Sequence, residues 1–152
     1  MDKIKKYLPL GAAAFGVIAL IMVFLPSVKL EFWGVEETWN GFQTAFGHKE
    51  DGQTVFKFSF MNCVTWALLI GGIACAVLSY MNANNKLFGY IAIVALFVAG
   101  IFFFCTVGFL NVEQEAKDML DLGAGAIIAG ICSILAAICA AAPTAMDMLG
   151  IK

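Results

Sequence analysis

Trp33-Gly34-Val35-Glu36-Glu37-Thr38-Trp39-Asn40-Gly41-Phe42-Gln43-Thr44-Ala45-Phe46-Gly47 decides how this chain is read, because it is the heart of the only sizeable stretch suited to folding in water. The loop around it, residues 28–60, carries two of the three tryptophans, the one histidine and five of the eleven acids. On either side the sequence turns almost wholly apolar.

Those apolar flanks fall into four blocks, 7–25, 61–80, 87–110 and 122–142. Each is long enough to cross a hydrocarbon core of about 30 Å, which takes about 20 residues. A composition that is 62% hydrophobic and 13% charged, with 14 Phe in 152 residues, agrees with that reading and not with a soluble domain. The expected fold is an all-α membrane protein, a four-transmembrane-helix bundle carrying a small antiparallel β-sheet in its first extracellular loop. Pro9 sits at the entrance to the first block and Pro26 at its exit, where proline is tolerated or stops a helix. No A-x-A-like site follows this block and its apolar run exceeds a usual signal-peptide core, so it reads as an uncleaved helix. Pro143 marks the expected end of the fourth. The turn 81–86 and the acidic link 111–121 are short enough to make the helices that they join antiparallel neighbours.

Lysine placement sets the orientation. Lys3, Lys5, Lys6, Lys86 and Lys152 crowd short segments on one side, whereas Lys29, Lys49, Lys57 and Lys117 are spread over longer ones. The positive-inside rule puts both termini, 1–6 and 143–152, in the cytoplasm and the loop 26–60 outside.

Within the loop, residues 28–33, 41–46 and 54–60 alternate apolar and polar side chains with aromatic and β-branched enrichment, the signature of half-buried strands. Gly47 and Gly52 bracket a charged hairpin connection. Three strands with an aromatic face on a helical platform make a viable sheet. Trp33, Trp39, Phe42 and Phe46 are its candidate partner-binding residues, although the ordinary role of the two indoles is to anchor at the membrane interface, with partner contact the alternative.

In the fourth block Gly125, Ala129, Ser133, Ala137 and Ala141 recur every fourth residue and form one small face, widened by Ala126 and Gly130. Helices in lipid associate by close approach over such faces. This one packs either within the bundle or against a second subunit.

Chemistry is harder to find. None of the four blocks holds an Asp, Glu, Lys, Arg or His, which argues against ion-coupled carriers and proton relays. His48 stands alone in the loop, and catalysis or metal binding needs a second positioned group. Glu36-Glu37 and Glu50-Asp51 lack the spacing of a hard-cation site. Cys63, Cys75, Cys105, Cys132 and Cys139 all lie in the apolar blocks, which suits packing; Cys63 and Cys105, near the outer ends of two helices, are a candidate bridge that nothing else in the sequence supports. Nine lysines, no arginine and a net charge of −2 imply no nucleic-acid partner. The expectation is a protein without catalytic residues, metal or cofactor. Its partners are the lipid bilayer and another copy of itself or another membrane or envelope protein. An oligomeric channel or lipid-handling protein is the alternative.

The layout, four spans with a sheet-forming, tryptophan-bearing first outer loop, resembles that of claudins and related tetraspan proteins. Trp39-Asn40-Gly41-Phe42 is similar to the start of their W-x-x-W-type motif, with Phe for the closing Trp and without the two cysteines that follow. The resemblance implies the architecture and not the paracellular function. The pattern Gly41-Phe42…Phe46-Gly47 is also similar to small four-helix proteins of low-GC Gram-positive bacteria, which implies a bacterial cytoplasmic membrane.

Overall fold

A computed structural model describes residues 2–82, 84–110 and 114–150. The first helix, α1 (Asp2–Ile21), runs on through a 3₁₀ turn at Met22–Phe24. Strands β1 (Pro26–Phe32) and β2 (Val35–Asn40) follow, then a short helix α2 (Gly41–Phe46) and a second hairpin, β3 (His48–Glu50) and β4 (Gln53–Phe56). Helix α3 (Phe60–Met81) returns along the bundle and α4 (Leu87–Phe104) comes back beside it. Two short helices, α5 (Thr106–Phe109) and α6 (Gln114–Met119), lead to strand β5 (Leu120–Leu122) and the last long helix, α7 (Ala124–Met148).

Among the described residues, four helices are long and apolar enough to cross a membrane: α1, α3, α4 and α7. Each packs on two others, so that α1 touches α3 and α7, and α4 touches the same pair from the opposite side. The core is made largely of small side chains. Ala19, Ala99, Ala129, Ala136 and Ala137 enclose Leu69, Leu96 and Phe103, and farther along Ala12, Ala13, Ala76, Ala92 and Ala140 form a second layer. Small residues bring the backbones close. A Cβ added at Gly100 would stand 3.2 Å from the Gly130 carbonyl oxygen, and one at Gly130 equally close to that of Gly100. Next to this crossing the Ser133 hydroxyl donates to the Leu96 carbonyl at 2.7 Å.

At one end of the bundle sits the sheet, in the order β2-β1-β5 and antiparallel throughout. A two-residue turn, Trp33 (φ 52°) and Gly34 (φ 77°), closes β1 onto β2. Positive φ at both central residues is the turn whose twist matches a hairpin. The β3–β4 hairpin turns in the same way at Asp51 (φ 50°) and Gly52 (φ 78°). At the other end Asp147 lies 3.0 Å from Lys5 and 3.8 Å from Lys86, which brings the start of α1, the 81–86 turn and the end of α7 together.

Four helices and a small antiparallel sheet match the expected architecture, but several segments differ. Residues 41–46 are helical and not a strand. Asn40 accepts from the Gln43 backbone N–H at 3.0 Å while the Gln43 side chain accepts from that of Asn40 at 2.9 Å, and this reciprocal cap starts the helix. The sheet's third strand is Leu120–Leu122, out of the link 111–121; Asn111, Val112 and Glu113 of that link lie outside the described residues, as does Lys152. The strand expected over 54–60 ends at Phe56, since Ser59 is the cap of α3. Helix α4 breaks at Cys105 instead of reaching 110. Helix α1 starts well before Pro9, and α7 runs through Pro143. Asp147 on that last turn is held by two lysines, and Gly150 (φ 68°) follows the helix end.

Candidate functional site

The sheet end is assembled on a buried polar seam. Asn62, in the first turn of α3, donates from Nδ2 to the carbonyls of Thr44 (3.3 Å) and Thr106 (3.4 Å), joining α2, α3 and α5. The Ser59 hydroxyl donates to the Phe109 carbonyl, and the Ser59 N–H to that of Ala45 at 2.9 Å. Thr44 and Thr106 turn their hydroxyls onto the carbonyls of Gly41 and Phe103 within their own turns. Each of these seam donors finds an acceptor, while the Asn62 Oδ1 and, outside the seam, the Ser27 hydroxyl are buried without a partner among the described residues. The Cys63 thiol contacts the Ala45 carbonyl at 3.4 Å; Cys63 and Cys105 are both free.

Over this seam the sheet packs through Val28 and Trp39, joined by Phe56 of the second hairpin, with Leu110 beneath. The Trp39 ring meets Phe56 edge-on at 4.9 Å between centroids and is only 6% exposed. Trp39 therefore belongs to the interior of the sheet and is not offered to a partner or to headgroups in this chain. Trp33 takes the opposite position. It sits at the tip of the β1–β2 hairpin, 87% exposed, with Val35 also exposed beside it.

Phe42 and Phe46 fall on one face of α2, four residues apart, and stack at 6.3 Å; Phe24 joins the row at 5.5 Å from Phe42. All three are well exposed. They form one wall of a groove of about 410 Å³ whose other wall is Ile21, Trp66 and Ile70. Gly41 floors it: a Cβ there would stand 2.6 Å from the Trp66 ring and 2.8 Å from a Val23 methyl. The far side of Phe46 borders a second recess of about 490 Å³, where His48, Lys49 and Lys57 stand among Phe56 and Phe58. His48 is half-buried on β3, its Nδ1 3.2 Å from the Gln43 amide nitrogen.

The four aromatics singled out in the loop are thus divided. Phe42 and Phe46 share a groove, Trp33 stands at a hairpin tip and Trp39 is inside. Phe24, Trp66 and Ile70 escaped notice because each reads as an ordinary lipid-facing residue of its helix, and only the fold places them opposite α2. The capping residues Asn40 and Gln43 were the available sequence signal.

The small face of α7 is covered by this chain's own helices. Ala129, Ser133 and Ala137 are fully or almost fully buried, Ala141 is half-buried, and a Cβ on Gly125 would stand 2.8 Å from the carbonyl oxygens of Leu25 and Pro26. Among the described residues no group of three His, Cys, Asp or Glu gathers as a metal would require. No family model matches the chain, and no curated protein or solved structure matches it either.

Proposed function

We propose that this chain is a non-enzymatic interaction protein of a bacterial cytoplasmic membrane. Four helices span the bilayer, both termini face the cytoplasm, and the sheet end docks a protein on the outer face, either an envelope partner or a second copy. The observation that carries the reading is the β1–β2 hairpin. It raises an 87% exposed tryptophan on a left-handed backbone position, with an exposed valine at its side. A non-glycine residue there costs of order 1 kcal/mol or more, so the tip is a poor choice for stability and a good one for a contact. A few anchors, tryptophan prominent among them, carry most of the binding energy of protein interfaces. The apolar helices, free of ionisable groups through their middles, support the anchor role and leave a coupled transporter without its usual groups.

Chemical crosslinking in intact cells tests it. Trp33→Ser should abolish a specific crosslinked adduct, partner or dimer, while insertion and folding are unchanged. A single cysteine at position 48 should react with an impermeant maleimide and one at 84 should not. Trp39→Ala is the wrong probe, since it would unseat the sheet. Ion flux or lipid transfer by the purified protein in liposomes would overturn the proposal, as would an adduct indifferent to Trp33.

A further inference from the structure

The aromatic groove beside α2 lies at a particular depth. Trp66 and Ile70 are six and ten residues beyond Phe60, the first residue of α3, which at about 1.5 Å per residue is roughly 9 and 15 Å down the helix. If α3 spans the bilayer, that is within the outer half of a hydrocarbon core about 30 Å thick. The lining is apolar from Ile21 and Phe24 to Trp66 and Ile70, so hydrocarbon and not water fits it.

At its upper end the groove meets Phe46, and Phe46 is also a wall of the recess that Lys49 and Lys57 line. Both lysines are exposed, and neither pairs with a carboxylate among the described residues. Glu50 and Asp51 lie on the hairpin nearby, outside the recess lining. An apolar slot, and a recess that sets two lysines among the rings of Phe56 and Phe58, share Phe46 and together suit a molecule with an apolar end and an anionic end in series. A partner's transmembrane helix would satisfy the slot alone.

We propose that the groove and recess together bind one anionic phospholipid of the outer leaflet. Its acyl chain lies along Phe42 and Trp66 and its phosphate lies at Lys49 and Lys57. The lipid is a resident constituent of the sheet end and not cargo. This rests on the membrane-spanning part of the proposed function and is independent of the partner at Trp33.

Native mass spectrometry of the protein purified from nanodiscs with equal phosphatidylglycerol and phosphatidylcholine tests it. The wild type should retain one phosphatidylglycerol in roughly thirtyfold preference, the order expected when two lysines meet a headgroup of net negative charge and not a zwitterionic one. Lys49→Gln with Lys57→Gln should equalise the two lipids. Ile70→Trp, which fills the slot from a residue already 54% exposed, should lose both. Equal retention by the wild type overturns the proposal, as does unchanged retention in Ile70→Trp. Disulfide-linked dimers of Ile70→Cys would assign the groove to a second copy and overturn it too. Release of the wild type from membranes by alkaline carbonate would instead sink the membrane reading beneath it.

Discussion

Replacing Gly100 by alanine tests how closely α4 and α7 approach. The new Cβ would stand 2.5 Å from Cγ1 of Ile134, 3.2 Å from the Gly130 carbonyl oxygen and 3.3 Å from the Ile134 backbone nitrogen. Carbon atoms make their best contacts at about 3.5–4.0 Å, and backbone atoms have no rotamer with which to retreat. The helices must therefore separate, and the same separation stretches the Ser133–Leu96 hydrogen bond nearby. Overpacking of this kind costs about 1–3 kcal/mol, offset by up to about 1 kcal/mol from alanine's better helix propensity. A net loss of about 1–2 kcal/mol is expected on those two figures. Gly130→Ala should cost less, because its Cβ meets first the far edge of the Phe104 ring, at 2.9 Å, and that side chain is partly exposed and can swing away. Each Cβ also pushes on the other's carbonyl, so one separation accommodates both. The double variant should fall short of the sum by about 0.5 kcal/mol or more. Gly71→Ala is the control: nothing lies within 4 Å of its Cβ, and stability should hold or rise. Reversible unfolding of the purified protein in mixed micelles, followed by circular dichroism, reads all four. A Gly100→Ala protein as stable as wild type, or a strictly additive double variant, refutes the close-packed crossing.

Two further outcomes follow from the packing. Ser133→Ala should cost only about 0.6 kcal/mol, the mean worth of such a bond between helices in lipid, whereas Ser133→Leu or Ala129→Leu should cost about 1–3 kcal/mol by overpacking. The same unfolding assay decides, with exposed Ile131→Leu expected to change nothing. Asn40→Ala removes one half of the cap on α2 and should cost about 1 kcal/mol; faster hydrogen exchange at the Gln43 amide would show it, and unchanged exchange would show that packing alone holds the helix.

The long helices were legible because each is an apolar run of membrane length, and the face Gly125, Ala129, Ser133, Ala137 was legible because it recurs every fourth residue. That the face packs inside the chain was not, since periodicity shows a face but not its occupant. The loop was read less well for a definite reason. Phe42, Thr44 and Phe46 satisfy a period of two, yet Phe42 and Phe46 also satisfy the helical interval of four, and Asn40 with Gln43 breaks the tie toward helix. Leu120-Asp121-Leu122 is too short to announce itself; it becomes a strand because β1 offers it an edge. Trp39 looks in the sequence like any interfacial tryptophan, and its burial depends on Phe56 arriving from the second hairpin. Pro143 reads as a stop, but α7 runs on to Met148 and its Asp147 meets Lys5 and Lys86, which lie far from it along the chain.

The pairing of β1 with β5 orders events in time. Val28 leaves the ribosome well before its partner Leu122, which comes just ahead of the glycines that seat α7 against Leu25 and Pro26. Until then the central strand has one bare edge, open to any foreign strand that reaches it. Completion of the sheet thus reports that the chain has been made and delivered at least as far as Leu122. A product truncated before residue 120 carries a visible mark of its incompleteness on the same face where the finished protein shows a closed one.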